Sequence, residues 1–412
     1  MSEWKEYSLG EIIEHKKGFA FKSQDLNFNY LVPVVKLTNT IGRKIDINSC
    51  DKVNENLAAE LSSYKLIEND IIIATVGSWP SNPASVVGKI IKVDKLSNGA
   101  LLNQNAVRIR KNGDINQLFI YYHLCNSSFQ DYIINTAQGS ANQASITLKD
   151  IFDYKLPLPP LPEQERIAEI LSSLDDKIDL LQRQNKTLEE MAETLFRQWF
   201  ENIEKDESSQ IMNIEDVATV QNGYSFKSSD FVSEQLDTIE VLKMGHISAE
   251  GGLRQSPKKD FVKRNEKYNK WILNKRDIIL AMTDMKDNVV ILGVPALIDH
   301  DNKYVLNQRV GRIFLCQNSL IADILILYMQ MKDKGFISEL QSKANSGVQV
   351  NLGTDSIRQT KVLVPSLENQ KLILPQLECI FNKLDLNRAQ TRQLEILRDT
   401  LLPKIMSGEV RV

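Results

Sequence analysis

The sequence predicts an α+β protein with two mixed α/β domains and two long helices, in the order domain, helix, domain, helix. Three observations predict this fold class. Apolar residues in a heptad pattern run through residues 163–200. A similar pattern returns 206 residues later. The segments before the two patterns share short motifs in the same order, which indicates an internal pseudo-twofold repeat rather than a solenoid.

The first long helix is predicted by apolar residues spaced alternately by four and three positions. This spacing places them on one face, which needs a partner to cover it. Asn185 is a polar interruption of the face, and the prolines between residues 157 and 162 give the helix a sharp start. The predicted interface residues of this helix are Ile167, Leu171, Leu174, Ile178, Leu181, Leu188 and Leu195.

The second long helix repeats the pattern, and the nearest partner for each helix is the other one. Pro375 lies inside the second pattern, so we expect it to delay the regular start of that helix or to kink it. The predicted interface residues are Ile373, Leu377, Ile380, Leu384, Leu394 and Leu401. The predicted boundaries are 1–158 and 211–364 for the domains, 159–200 and 365–412 for the helices, and 201–210 for an acidic linker.

The first domain contains short apolar runs and one helical stretch, and the second domain repeats its motifs. Gly223–Ser228 corresponds to Gly18–Ser23, and Leu306–Gln308 corresponds to Leu102–Gln104. The β-branched content of the runs predicts strands, and the spacing of apolar residues in the remaining stretch predicts a helix. The predicted strands are 32–37, 71–76, 86–93 and 106–110, and the predicted helix is 116–134.

The overall composition is that of a soluble globular protein. Apolar residues make up 42% of the chain and charged residues 25%. The four cysteines are scattered without a Cys-x-x-Cys motif, which predicts free thiols in a reducing compartment. No apolar segment is long enough to cross a membrane. We therefore expect a cytoplasmic protein.

The charge distribution leaves two interpretations open. The net charge of −3 argues mildly against a nucleic-acid-binding protein, because such proteins are usually basic. Residues 254–276, however, form a basic run that includes Lys258, Lys259, Lys263 and Arg264. This run is either a solvated basic face or a patch that contacts phosphates.

Motifs that would carry catalysis are missing from the sequence. There is no phosphate-binding Walker loop, no dinucleotide-binding glycine motif and no Asn/Asp-Pro-Pro-aromatic motif. The four histidines are isolated and lack the spacing of metal ligands. We therefore expect a protein that is not an enzyme and has no metal site and no cofactor of its own.

A known family combines the features described above. Residues 156–165 read Leu-Pro-Leu-Pro-Pro-Leu-Pro-Glu-Gln-Glu before the first helix, and both domains open with Gly-x-x-Phe-Lys-Ser. With the duplication, these motifs make the whole chain resemble the specificity subunit of type I restriction-modification systems. The second copy departs from the pattern, because Pro365–Gln370 has lost most of the prolines.

The resemblance implies a specific architecture and function. The two α/β domains would be target recognition domains, and the two long helices would pair as an antiparallel coiled coil. The chain would read a bipartite, asymmetric site in double-stranded DNA with a nonspecific spacer. Its partners would be two methyltransferase subunits, which methylate adenine, and restriction subunits. S-adenosylmethionine, ATP and magnesium would belong to those partners.

Polar loop residues are the candidates for DNA contact, because amides and basic side chains match base edges. Gln143 and Gln349 could instead hydrogen-bond to the backbone and shape their loops. The candidates in the first domain are Lys22, Lys36, Ser78, Asn82, Ser140, Asn142 and Gln143. Those in the second are Lys227, Lys243, Lys286, Asn288, Ser346, Gln349 and Asn351, together with the four basic residues of the run.

A competing hypothesis is a coiled-coil scaffold or adaptor whose paired domains bind protein or small polar ligands. The negative net charge favours this alternative slightly. A DNA-specificity subunit would co-purify with a methyltransferase and shift a DNA duplex only in its presence, whereas a scaffold would do neither.

Overall fold

The computed structural model describes residues 4–79, 86–140, 143–254, 257–285, 289–346 and 349–411. The chain divides into two compact units. One comprises Met1–Leu180 with Gln390–Val412, and the other comprises Leu181–Ala389. Each unit contains one α/β domain and parts of both long helices, so each long helix contributes to both units.

Two helices are much longer than the rest, with 43 residues in α6 and 40 in α11. The helices are α1 (Leu9–Ile12), α2 (Glu55–Glu60), α3 (Gln117–Leu124), α4 (Ser127–Thr136), α5 (Leu148–Asp153), α6 (Leu161–Ile203), α7 (Ile214–Val217), α8 (Ile324–Met331), α9 (Lys334–Ser342), α10 (Thr354–Arg358) and α11 (Leu367–Met406). Short 3₁₀ helices lie at Ser23–Asp25, Leu37–Asn39, Ile47–Ser49, Ser62–Tyr64, Lys95–Ser97, Ser228–Asp230, Met244–His246 and Glu266–Trp271.

The strands are short, and most are antiparallel to their neighbours. Those before α6 are β1 (Lys5–Ser8), β2 (Ile13–Lys17), β3 (Val32–Val35), β4 (Thr40–Ile41), β5 (Lys44–Ile45), β6 (Asp51–Val53), β7 (Ile71–Ala74), β8 (Val76–Gly77), β9 (Ile90–Lys92), β10 (Leu101–Leu102), β11 (Ala106–Lys111), β12 (Gln138–Ser140), β13 (Gln143–Ser145) and β14 (Lys155–Leu158). Those after it are β15 (Gln210–Asn213), β16 (Ala218–Asn222), β17 (Phe231–Val232), β18 (Thr238–Leu242), β19 (Phe261–Lys263), β20 (Ile278–Ala281), β21 (Thr283–Met285), β22 (Pro295–Leu297), β23 (Tyr304–Leu306), β24 (Val310–Leu315), β25 (Asn345–Ser346), β26 (Gln349–Asn351) and β27 (Lys361–Val364).

A four-stranded sheet with both faces buried forms the centre of the first domain. Its strand order is β2-β11-β7-β9. Alternation along β7 sends Ile71 and Ile73 into one core cluster with Phe119 of α3. Ile72 points to the other face and packs in a second cluster with Val35 of the sheet β10-β3-β6. Burial on both faces explains why β7 is apolar throughout.

The second domain repeats this topology, which confirms the internal repeat. Its central sheet has the order β16-β24-β20-β22, and its second sheet has the order β17-β19-β18-β23. β15 and β27 pair as β1 and β14 do in the first domain. Each domain also has a small three-stranded sheet, with the order β12-β13-β8 in the first and β21-β26-β25 in the second.

The structure differs from two of the expectations for helices. The predicted helix 116–134 is two helices, because the chain turns at Cys125 and the side chain of Asn126 accepts a hydrogen bond from the N–H of Ser127 at the start of α4. Pro375 does not interrupt α11, which continues from Leu367 to Met406. The carbonyl that loses its donor belongs to Lys371, and both residues are exposed, so water can hydrate it. The predicted strand runs each contain a strand, but 86–93 contributes only Ile90–Lys92.

The predicted interface faces of the long helices point inward. Every predicted interface residue is buried or half-buried, including Leu171, Leu377 and Leu384, which are fully buried. The structure adds further buried apolar residues that the heptad pattern did not include, among them Phe196, Phe381 and Leu402.

Candidate nucleic-acid interface

The repeated glycine motif at the start of each domain is a point of close backbone approach. A Cβ placed on Gly18 would lie 1.9 Å from the carbonyl oxygen of Asn103, and one on Gly223 would lie 2.1 Å from that of Asn307. The next residue of each motif forms a parallel bridge with the same asparagine. The motif therefore joins the opening strand to the repeated Leu-Asn-Gln turn, and its glycine is structural.

In the first domain the small sheet brings the two predicted loops together. Ala144 of β13 lies opposite Gly77 of β8, and Gln143 lies opposite Ser140. The indole N–H of Trp79 donates a hydrogen bond of 2.7 Å to the carbonyl of Ser140. Ser140 and Gln143 are exposed at this edge, and Ser78 is half-buried. Ser78 is therefore a neighbour of Ser140 and Gln143 in the fold, although more than 60 positions separate it from them in sequence.

The matching sheet of the second domain holds Gln349 and Asn351. Met285 of β21 lies opposite Gln349, and Thr283 donates a hydrogen bond of 3.1 Å to the side-chain oxygen of Asn351. Asp284 connects the end of β21 to residues 290–292, because its carboxylate accepts hydrogen bonds from the backbone N–H groups of residues 285 and 290–292. This domain thus presents different side chains on the same framework.

The candidate lysines fall into two matched pairs with different environments. Lys22 and Lys227 are exposed, and their backbone N–H groups are held by aspartates three residues on. Lys36 and Lys243 are half-buried and ion-paired, with Asp51 at 2.5 Å and Asp260 at 2.8 Å. The first pair can reach a ligand freely, whereas the second pair already has carboxylate partners.

The basic run divides into an exposed part and a part bound to α11. Lys258, Lys259, Lys263 and Arg264 are exposed. At the other end of the run, Lys275 forms an ion pair of 2.7 Å with Asp385, and Arg276 donates a hydrogen bond of 3.0 Å to Asn382. The first part can reach phosphates, whereas the second part attaches the domain to α11.

Four candidates, Asn82, Asn142, Lys286 and Asn288, lie outside the described residues, as does the side chain of Ser346.

Two turns that were not among the predicted contacts lie beside the small sheets of the two domains. They are Asn103–Asn105 in the first domain and Asn307–Arg309 in the second. The last two residues of each turn are exposed. The repeated Leu-Asn-Gln motif was the signal for these turns.

A buried glutamine in the first turn of each long helix ties the helix to its domain. The side-chain oxygen of Gln164 accepts a hydrogen bond of 2.9 Å from the N–H of Asn116, and its amide donates one of 2.8 Å to the carbonyl of Pro159. Gln370 does the same with Ala322 and Pro365, at 2.7 and 2.8 Å. The repeated glutamine of the helix lead-in is therefore a structural residue, with 1% of its surface exposed in both copies.

Ion pairs connect the two long helices within each unit. Arg398 of α11 contacts Asp175 of α6 at 2.9 Å, and Arg388 contacts Glu189 at 2.7 Å. Asp175 also accepts a hydrogen bond of 2.8 Å from the hydroxyl of Tyr122. Burial, together with the charge of Asp175, raises the pKa of Tyr122, so this hydroxyl is a stable donor.

Within the described ranges, no helix is both long and apolar enough to cross a membrane. No group of three or more His, Cys, Asp or Glu side chains in that part of the chain is arranged to hold a metal ion.

The family of the chain follows from a comparison with family models. The model described as the type I restriction modification DNA specificity domain matches residues 1–190 and again residues 206–396. The chain belongs to this family. The two matched segments coincide with the two structural repeats, so the chain carries two DNA specificity domains in tandem.

Individual relatives agree with this assignment over the whole chain. The MjaVIII type I restriction enzyme specificity subunit of Methanocaldococcus jannaschii is 23% identical, covering 100% of this chain and 93% of that one. The HindI specificity subunit of Haemophilus influenzae is 24% identical over the full length of both. The crystal structure of the type I system S subunit from M. genitalium shares the fold, with a TM-score of 0.58 at 17% identity over 98% of this chain and 96% of that one.

Proposed function

We propose that this chain is the non-catalytic specificity subunit of a type I restriction-modification complex, and that it reads a bipartite, asymmetric site with a nonspecific spacer. The observation that carries the proposal is the pair of tandem DNA specificity domains whose matched small sheets present different side chains. By strand register, Ser78 stands in the first domain where Met285 stands in the second, and Ser145 stands where Asn351 stands. Different side chains on one framework favour two different half-sites.

The two long helices pair as an antiparallel coiled coil in this proposal. Two ion pairs support it, because the partner residue moves from 398 back to 388 as the position on α6 advances from 175 to 189. The burial of the heptad residues on both helices also supports a coiled coil.

The partners in this proposal are double-stranded DNA, two methyltransferase subunits and restriction subunits. S-adenosylmethionine, ATP and magnesium are bound by those subunits, and the chain holds no cofactor of its own. Apolar side chains that remain exposed on α6 and α11 support a further protein partner on these helices. They include Leu180, Met191, Leu386 and Ile396, with 39 to 68% of their surface exposed.

The decisive experiment uses the chain co-expressed with a type I methyltransferase subunit. The expected results are a stable complex, a duplex shift that requires both proteins, and genomic adenine methylation at one bipartite sequence. Failure of the complex to bind DNA, together with capture of some other protein by the domains, would favour the scaffold alternative.

The exposed part of the basic run tests the phosphate interpretation in the same complex. Replacing Lys258, Lys259, Lys263 and Arg264 with glutamine should make the salt dependence of binding shallower, by about one unit of log–log slope for each phosphate that is no longer neutralised. Glutamine at Lys334 and Lys361, exposed lysines of the same domain, is the control. An unchanged slope in the fourfold variant would mean that the run is a solvated face.

A further inference from the structure

We propose that the turns after β10 and β23 each carry a base-reading residue, Asn105 for an adenine in the first half-site and Arg309 for a guanine in the second. This inference rests on the proposed DNA-reading function and deepens it. It assigns one specificity-determining side chain to each domain.

The backbone fixes both residues beside the small sheets that hold the loop candidates. In the first domain the carbonyl of Asn105 accepts a hydrogen bond of 2.9 Å from Thr75, whose own carbonyl accepts one of 2.9 Å from Ile146, the residue that follows β13. The turn at Asn105 is therefore a direct continuation of the edge where Ser140 and Gln143 are exposed.

The second domain repeats this row of hydrogen bonds at matched positions. The carbonyl of Arg309 accepts a hydrogen bond of 3.0 Å from Met282, and the carbonyl of Met282 accepts one of 2.8 Å from Leu352, which follows β26. Since the two rows match bond for bond, Asn105 and Arg309 occupy the same place in the two domains.

At this shared place the side chains differ, although the residues before them are identical. Asn-Gln precedes the position in both turns, and both Asn105 and Arg309 are exposed. Asn105 has a φ of +70°, a conformation that asparagine tolerates better than most residues. No carboxylate in the described part of the chain lies within ion-pair distance of the Arg309 guanidinium. An exposed arginine with no ion-pair partner among the described residues can bind an anionic or acceptor-rich ligand.

The acidic residue of the adjacent strand β21 does not oppose this role. The carboxylate of Asp284 accepts hydrogen bonds of 2.8 Å from Met285 and Val290 and of 2.7 Å from Ile291. Its charge is compensated by these amide groups. The edge can therefore approach DNA without an open carboxylate from this strand.

The residue types determine the expected bases. An asparagine amide pairs with N6 and N7 of adenine, and an arginine guanidinium pairs with O6 and N7 of guanine in the major groove. Such a pair contributes about 1–3 kcal/mol of discrimination, which corresponds to about a 5- to 150-fold preference for the correct base. A phosphate contact would instead strengthen binding to every sequence equally.

The experiment uses the full chain in its complex with the methyltransferase subunit, with genomic methylation mapping and binding to duplexes that carry single base-pair changes. Asn105→Gly removes the amide and keeps the positive φ, and Asn69→Gly, with a φ of +68° at the opposite end of β7, is its matched control. Arg309→Gln is compared with Lys361→Gln, an exposed residue of the same domain. Asn105→Asp is a second variant that also tolerates positive φ.

The expected result for Asn105→Gly is the loss of selectivity at one A·T position of the first half-site, by about 5- to 150-fold, with the second half-site unchanged. Arg309→Gln should relax one G·C position of the second half-site only, and both controls should keep the parental site. A variant that marks the parental site with a shallower salt dependence would show a phosphate contact and overturn the inference. So would variants indistinguishable from the parent. If the parental complex marks no sequence at all, the proposed function itself fails.

Discussion

At the scale of single residues, Gly223 shows how one missing Cβ permits two segments to pair. Replacing it with alanine would place a carbon against the Asn307 carbonyl, a backbone atom that cannot rotate away. We expect Gly223→Ala to lower the free energy of unfolding by about 1–3 kcal/mol, the usual cost of overpacking. Gly245→Ala is the control, because nothing lies within 4 Å of its added Cβ. Urea denaturation measures both, and equal stabilities would mean that the turn moves at no cost.

His123 gives a pH-dependent prediction at the same scale. It is buried in the first domain, with Nε2 3.3 Å from the Tyr154 hydroxyl, and burial lowers its pKa to about 4. In the unfolded chain this histidine has a pKa near 6.5, so below that pH the unfolded state binds a proton that the folded state does not. Its contribution therefore lowers the free energy of unfolding as the pH falls from 6.5 towards 4.

The full loss from His123 is about 3 kcal/mol, on the scale of 1.36 kcal/mol per unit of pKa. His123→Gln should therefore show a smaller decrease in stability between pH 7 and pH 4.5 than the parent, measured by urea denaturation at each pH. His15→Gln, which removes an exposed imidazole, is the control. Equal pH dependence in parent and His123→Gln would contradict the assignment.

At the scale of elements, Gln164 holds the first turn of α6 against the loop before α3. Gln164→Ala would leave the buried N–H of Asn116 without this partner, and we expect a loss of about 2–4 kcal/mol for the two hydrogen bonds. Gln164→Glu should also destabilise, because a carboxylate cannot donate to the Pro159 carbonyl. The control is Gln198→Ala on the exposed face of the same helix, where we expect a change within about 0.5 kcal/mol. Thermal denaturation measures all three variants, and similar changes in melting temperature among them would contradict the role of Gln164.

The long helices were predictable from sequence because a heptad pattern is a strong, local signal. The bounds of the short strands were predicted only roughly, because a run of two to five apolar residues does not mark where a strand begins or ends. Lys36 and Lys243 were selected as candidates for DNA contact, yet each is paired with an aspartate 15 or 17 residues further along, across two strands. Such contacts depend on strand register, which spacing along the chain does not reveal. For the same reason, the sequence did not show that the turn at Asn105 lies beside the sheet that holds Gln143.

At the scale of the whole molecule, the two copies differ where the long helices pack on their domains. Tyr122, Asp175 and Arg398 form a hydrogen-bonded group in the first unit. A shift of 206 residues along the chain leads to Tyr328, Phe381 and Ala192, which are buried in one apolar cluster of the second unit. The repeat is therefore symmetric in backbone and asymmetric in the chemistry of this contact.

The helix ends differ in the same way. Leu402, Ile405 and Met406, at the end of α11, are buried in the core cluster of the first domain. The matched residues at the end of α6 are Phe196, Trp199 and Phe200, which pack in the core cluster of the second domain. The core cluster of each domain thus includes side chains from one helix end. These side chains are aliphatic in the first domain and aromatic, hence larger, in the second.

These differences determine how well half of the chain can replace the whole. The repeat predicts that a fragment of residues 1–205 pairs with a second copy of itself, since α6 and α11 share their heptad positions. In that dimer Asp175 would face Ala192 instead of Arg398. The aromatic end of α6 would also enter a socket that holds Leu402, Ile405 and Met406. Both changes weaken the dimer, through a charge without its partner and through overpacking.

Rebuilding the end of α11 within the fragment should therefore strengthen its dimer. The rebuilt fragment carries Ala192→Arg, Phe196→Leu, Trp199→Ile and Phe200→Met. These changes restore an arginine opposite Asp175 and the aliphatic side chains that fill the socket. We expect its dimer dissociation constant, measured by sedimentation equilibrium, to fall at least about tenfold, which corresponds to about 1.4 kcal/mol. Alanine at Arg197, Gln198 and Glu201, on the exposed face of the same turns, is the control and should change little. A rebuilt fragment that dimerises no better than the parental fragment would show that the two helix ends are interchangeable, and that the asymmetry of these contacts does not affect pairing.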